Sequence, residues 1–163
     1  LSFGKFLIGE DSFFTVTACN SSEKIYTTDY VGYYWVDRPA SVSNTLQKEG
    51  KTDILPLLNA IVERNPERKY LSEEMFEYFL IKTIAGDLFH AAEKTDLLIL
   101  DNYCEKWYQW LQDFCPDYRK NLWISPFRPK GEMLSVRIIV WMMTKFSDKM
   151  RRHLLHFYKK IKH

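Results

Sequence analysis

The stretch SEEMFEYFLIKTIAGDLFHAAE, Ser72 to Glu93, decides how the larger part of this chain folds. Ser72 followed by Glu73 and Glu74 is a helix-start signature: a short side-chain oxygen accepts from a free N–H of the first turn, and the carboxylates complement the positive end of the helix. Met75, Phe79, Leu80, Ile84, Leu88 and Phe89 then recur at helical spacing, which predicts one long helix reaching about Glu93. Upstream, Ile54, Leu57, Leu58, Ile61 and Val62 fall at i, i+3, i+4, i+7 and i+8, predicting an amphipathic helix from Thr52 onward that Asn65-Pro66 closes. Downstream, a third helix is expected from about Asp96 to Phe114, where Pro116 stops it. A polar and aromatic connector, Lys120 to Gly131, leads into a last helical stretch from about Glu132 to Lys162, with Ser147-Asp148 as the place where it would break.

Before residue 45 the character is different. Ile25 to Thr28 and Tyr30 to Val36 are rich in Tyr, Thr, Val and Trp and read as short strands, with Gly32 marking a bulge or close approach. A lone hairpin is marginal in water, so this element is expected to pack against the helices. The fold class expected is mainly α with a small β element (α+β).

Length and composition allow one real core: 163 residues, 46% of them hydrophobic, with neither the glycine nor the proline content of a disordered chain. The formal net charge is only +2, which gives no argument for nucleic acid as a partner. Cys19, Cys104 and Cys115 form neither a metal-type pair nor an even disulfide set, as in a reducing compartment, and a cytoplasmic location is expected. No run approaches the roughly 18 apolar residues of a spanning helix. The chain opens Leu1-Ser2-Phe3 without a methionine and in the style of a folded interior, so a piece of something longer is expected.

Chemistry concentrates first in Ile8-Gly9-Glu10-Asp11-Ser12-Phe13-Phe14. Two carboxylates at a helix start have an ordinary explanation as capping groups. The context comes with Tyr33-Tyr34-Trp35-Val36-Asp37-Arg38-Pro39-Ala40-Ser41-Val42-Ser43-Asn44-Thr45. Together these segments resemble the second half of bacterial family-2 glycosyltransferases of the GT-A fold, which reads Gly-Glu-Asp, a helix, a strand, then a Tyr-Tyr segment with arginines and Ser-x-Ser. Asn121 to Glu132, leading into an apolar and basic helix, resembles the helical tail of the same enzymes.

The resemblance implies a remnant of a GT-A α/β sheet at residues 1–46 (base loop, helix and short strands), followed by a C-terminal helical subdomain at 47–163. It implies inverting transfer of a sugar from a nucleotide-sugar to a glycan or lipid-linked acceptor of a surface polysaccharide. Asp11 is then the base that takes the acceptor hydroxyl's proton, and Glu10 holds the acceptor or orients the loop. Arg38 would contact the leaving diphosphate, since a guanidinium matches charged phosphate oxygens, with Ser41 and Ser43 as lesser hydrogen-bonding groups.

The sequence departs from the family where Val36 replaces an arginine and Ala40 a glycine. It also has no Asp-x-Asp, the motif that holds Mg²⁺ or Mn²⁺ against the diphosphate in such enzymes. The metal is therefore expected of a full-length enzyme, with no ligands for it in this chain, and the chain alone is expected to be inactive because the donor-binding half is absent.

Other features have bland readings beside sharper ones. His90, His153, His156 and His163 read as ordinary histidines, and Cys104 and Cys115 as core thiols. Tyr103, Trp107, Trp110 and Phe114 follow helical spacing and read as core, while with Tyr108 they form an aromatic cluster that could stack on a sugar. From Lys145 to His163 there are seven Lys and Arg and one acidic residue, interleaved with Met150, Leu154, Leu155, Phe157, Tyr158 and Ile161. Such a helix either packs on its own protein with a basic outer face or lies on an anionic bilayer at the inner face of the plasma membrane. The alternative to a transferase is a non-enzymatic helical scaffold or a membrane- or partner-interaction module.

Overall fold

The computed structural model describes residues 9–26, 28–30 and 53–162. Its element order begins with α1 (Glu10–Ser21) and α2 (Leu55–Arg64), followed by α3 (Glu73–Lys94) and α4 (Leu97–Phe114). A 3-10 turn at Tyr118–Lys120, α5 (Leu134–Lys145) and α6 (Asp148–Lys162) complete it. The fold is mainly α, and each helix expected after residue 50 is present.

α3 is the hub, packed by α4, α5 and α6. Its start is the one anticipated: the Ser72 hydroxyl accepts from the Met75 N–H at 3.2 Å. The buried side chains are Phe76, Tyr78, Leu80, Ile81, Ile84, Ala85, Leu88, Phe89, Ala91 and Ala92, which together occupy most of the circumference of the helix. Three helices surround it, so a single apolar stripe would not suffice. Met75, expected on the inner face, is instead exposed.

On α4 the buried set is Leu100, Tyr103, Cys104, Trp107, Tyr108 and Leu111, a helical face at i, i+3, i+4, i+7, i+8 and i+11. The last stretch breaks at Phe146-Ser147, next to the expected point, and α6 folds back along α3 and α4. Its Leu155 is buried, and Tyr158 meets Phe89 edge-on with centroids 4.8 Å apart. The Lys159 ammonium donates to the carbonyls of Ala92 and Thr95 at 3.2 and 2.7 Å, occupying acceptors at the end of α3 that have no intrahelical partner.

The expected strand at Ile25 to Thr28 is absent from its described residues: Ile25, Tyr26 and Thr28 lie outside any strand, exposed to solvent. Local bonding competes with a ladder there, since the Tyr30 N–H donates to the Thr28 hydroxyl at 3.2 Å, and no partner strand for this segment occurs among the described residues. Beyond Tyr30, the second expected strand lies outside the described residues. Among those residues the only β-type pairing is an isolated bridge between Ser125 and Arg128.

Candidate functional site

α1 begins where the chain turns through Gly9, whose φ of +80° is a left-handed conformation that costs a side-chain-bearing residue energy. The space there is closed as well: a Cβ on Gly9 would lie 2.4 Å from a methyl carbon of Leu57. Glycine thus lets the loop press onto α2 and deliver Glu10 and Asp11 as the first two helical residues. Both carboxylates are exposed, and neither is paired with a cation among the described residues. The Ser12 N–H donates to Asp11 Oδ1 at 2.7 Å, which orients that carboxylate at the positive end of the helix.

What holds α1 is a buried polar network with few apolar contacts. Val16, Thr17 and Asn20 form its inner face. The Asn20 amide donates to Asn65 Oδ1 at 3.2 Å and to the Glu67 carbonyl at 2.7 Å, while its own oxygen accepts from the Lys69 N–H at 3.0 Å. The Asn65 amide in turn donates to the Thr17 hydroxyl and to the Ile61 carbonyl. Every polar group of the two asparagine side chains is used, so the network fixes the rotation of α1 on α2. α2 is itself tied to α4. Asp53 accepts from the Leu55 N–H, from Trp107 Nε1 and from Lys106. Burial alone would raise the Asp53 carboxyl, but these donors outweigh it and hold it below the usual range.

Of the residues expected to act, Glu10 and Asp11 therefore share one rigid helix start. Arg38, Ser41 and Ser43 lie outside the described residues. No group of three His, Cys, Asp or Glu side chains able to hold a metal occurs among the described residues. His156 pairs with Asp101 at 2.8 Å, and His153 bonds the Lys149 carbonyl. Burial pushes the Cys104 thiol up to about 11 and the Cys115 thiol up to about 12, the opposite of what a nucleophile requires.

The aromatic cluster divides. Tyr103 stacks on Trp107 at 4.7 Å inside the core, whereas Trp110 and Phe114 stack at 5.4 Å on the rim, with the Trp110 indole N–H on Asn59. Tyr108 is deeply buried against Arg151, a charged side chain only 1% exposed. The sequence reading placed the basic residues of the tail on an outer face. The signal for an inward Arg151 was its spacing of four from Leu155 and seven from Tyr158.

No helix among the described residues is long and apolar enough to cross a membrane. Compared with protein-family models, curated proteins and solved structures, the chain matches none.

Proposed function

We propose that this chain is the C-terminal, acceptor-side part of an inverting glycosyltransferase and that Asp11 is its base. The observation that carries the reading is the delivery of Asp11 to an exposed helix start by a glycine-dependent turn, on a helix whose rotation is fixed by the Asn20–Asn65 network. A base contributes most when it is positioned before the acceptor arrives. In the reaction, a carboxylate oxygen of Asp11 takes the proton of the acceptor hydroxyl as that oxygen bonds to the anomeric carbon. The bond from that carbon to the nucleoside diphosphate breaks on the opposite face, and the configuration inverts. Glu10, the preceding residue, is assigned to holding the acceptor or orienting the loop. Arg38, with Ser41 and Ser43, is assigned to the leaving diphosphate, and the Mg²⁺ or Mn²⁺ of such enzymes is assigned to a donor-binding half that precedes these residues.

The test is Asp11→Asn in the native gene product. Turnover should drop by at least about a hundredfold, the size of a general-base contribution, with the melting temperature unchanged. Unaltered turnover would remove the assignment. Transfer from a nucleotide-sugar by the 163-residue chain alone would show that the donor site is not elsewhere.

A second reading, peripheral contact with the inner face of the plasma membrane, has its own observation. Met150, Phe157 and Ile161 lie on one stripe of α6 and are 50, 62 and 65% exposed, flanked by Lys149 and Lys160. An apolar stripe beside lysines suits an anionic bilayer. Flotation with phosphatidylglycerol vesicles that is lost in Phe157→Ser supports this role; flotation indifferent to anionic lipid removes it.

A further inference from the structure

A cavity of about 240 Å³ opens between α4 and α6 beside the Tyr118–Lys120 turn. Its wall includes Arg119, Arg151, Arg152, Tyr108, Tyr118 and Asp148. The Arg151 guanidinium lies 3.7 Å over the Tyr108 ring. Its Nη1 donates to the Tyr118 hydroxyl and to the Met143 carbonyl, each at 3.2 Å, and its Nη2 pairs with Asp148. Arg119 Nε donates to the same Tyr118 hydroxyl at 3.3 Å.

The donors and acceptors do not balance. A phenol oxygen has two acceptor positions, and two guanidinium groups use both on Tyr118, so its own O–H is left to donate. The Tyr108 hydroxyl and Arg151 Nε are buried; the Tyr108 oxygen lies close to the Arg151 guanidinium without a well-aligned hydrogen bond, and its own O–H has no acceptor among the described residues. Buried polar groups without partners are costly and rare, each on the order of 1–3 kcal/mol. Against three arginines the wall offers two carboxylates, Asp148 and Glu105, so the cavity carries a surplus both of positive charge and of hydrogen-bond donors.

Such a surplus is answered by an anion with several acceptor oxygens. Taking about 30 Å³ as one water's share of liquid volume, the space equals about eight waters, enough for a phosphoryl group and part of what it is attached to. We propose that this cavity binds a phosphoryl group, free in solution or at the end of a lipid headgroup, with Arg119, Arg151 and Arg152 supplying charge and Tyr108 and Tyr118 donating hydroxyl protons. It lies on helices other than α1 and holds whether or not Asp11 is a base.

The experiment titrates the chain calorimetrically with inorganic phosphate and with glycerol 3-phosphate at constant ionic strength, and in parallel sediments it with vesicles of phosphatidic acid or of phosphatidylcholine. Saturable one-site binding of the soluble phosphates identifies a free phosphate as the ligand; selective binding to phosphatidic acid alone identifies a headgroup. In either case Arg119→Gln and Tyr108→Phe should weaken binding at least about tenfold, the loss of one charge-assisted hydrogen bond. Circular dichroism of both variants should match the parent, since neither substitution removes a packed surface. Binding of neither probe overturns the proposal, as does binding that both variants leave unchanged. Vesicle binding that disappears in Phe157→Ser but persists in Arg119→Gln belongs to the outer stripe of α6 and also overturns it.

Discussion

At the scale of single residues, Gly9 and Asp87 lead to opposite expectations. Gly9→Ala meets both a left-handed φ and the Leu57 methyl, so it should destabilise α1 by about 1–3 kcal/mol and lower the melting temperature, or detach the helix from α2. A thermal melt with exchange protection on α1 measures it. Asp87, on α3, has no cation partner among the described residues, and burial pushes its carboxyl up to about 6. The folded chain therefore holds this proton more tightly than the unfolded chain. The contribution of Asp87 to stability is fully present below the ordinary carboxylate pKa and is lost as pH rises through about 6. Asp87→Asn should raise stability at pH 8 by on the order of 1–2 kcal/mol, because part of the side chain still reaches solvent, and leave it nearly unchanged at pH 4. Denaturant titrations at the two pH values check this, and equal effects at both would contradict it.

Asn20 and Asn65 were not legible in the sequence. A buried asparagine and a solvated one look alike until the helices are placed, and the network joins residues 45 to 49 positions apart. Glu10 and Asp11 were legible because a helix start is a local property, set by side-chain chemistry within one turn. Arg151 escapes a reading of charge for a related reason: the face it shares with Leu155 and Tyr158 turns this one arginine inward.

Among elements, the helices after residue 50 were predictable because apolar period and stop signals agree: Ser72 opens α3, Asn65-Pro66 closes α2, and Pro116 follows the end of α4. The strand at Ile25 to Thr28 failed because β-propensity describes a residue that fits a pleated, half-buried surface, and among the described residues no such surface covers the segment. Two elements carry further expectations. Ser72→Ala should cost about 1 kcal/mol by removing the N-cap of α3. Asn65→Ala should cost more, about 2–3 kcal/mol, since it leaves one N–H of the buried Asn20 amide without an acceptor and the Thr17 hydroxyl without its donor. Its effect should concentrate at α1 in hydrogen exchange and leave α3 protected.

For the whole molecule, the core is organised around α3, and α6 covers it last in chain order. Leu155→Ala should therefore destabilise the chain globally by about 2–5 kcal/mol, the cost of a cavity in a closed core, whereas Phe157→Ser on the same helix should leave chemical denaturation within about 0.5 kcal/mol of the parent. Equal losses for the two would mean that α6 presents its outer stripe to the protein instead of to solvent. The architecture also separates two regions: the helix start with Glu10 and Asp11 depends on α2, while the arginine-lined cavity depends on α4, the Tyr118 turn and α6.

The network that fixes α1 has a consequence for the order of events during synthesis. α1 leaves the ribosome before the groups that set its rotation, Asn65, the Glu67 carbonyl and the Lys69 N–H, which follow 45 to 49 residues later. Until that short stretch after α2 has emerged, Glu10 and Asp11 sit on a helix with nothing to orient it. Once it has, the α1–α2 pair can close while α3 is still being made, well before Arg151 arrives to seal the far end. Among the described residues, the carboxylate pair can thus reach its final form before the arginine-lined cavity does.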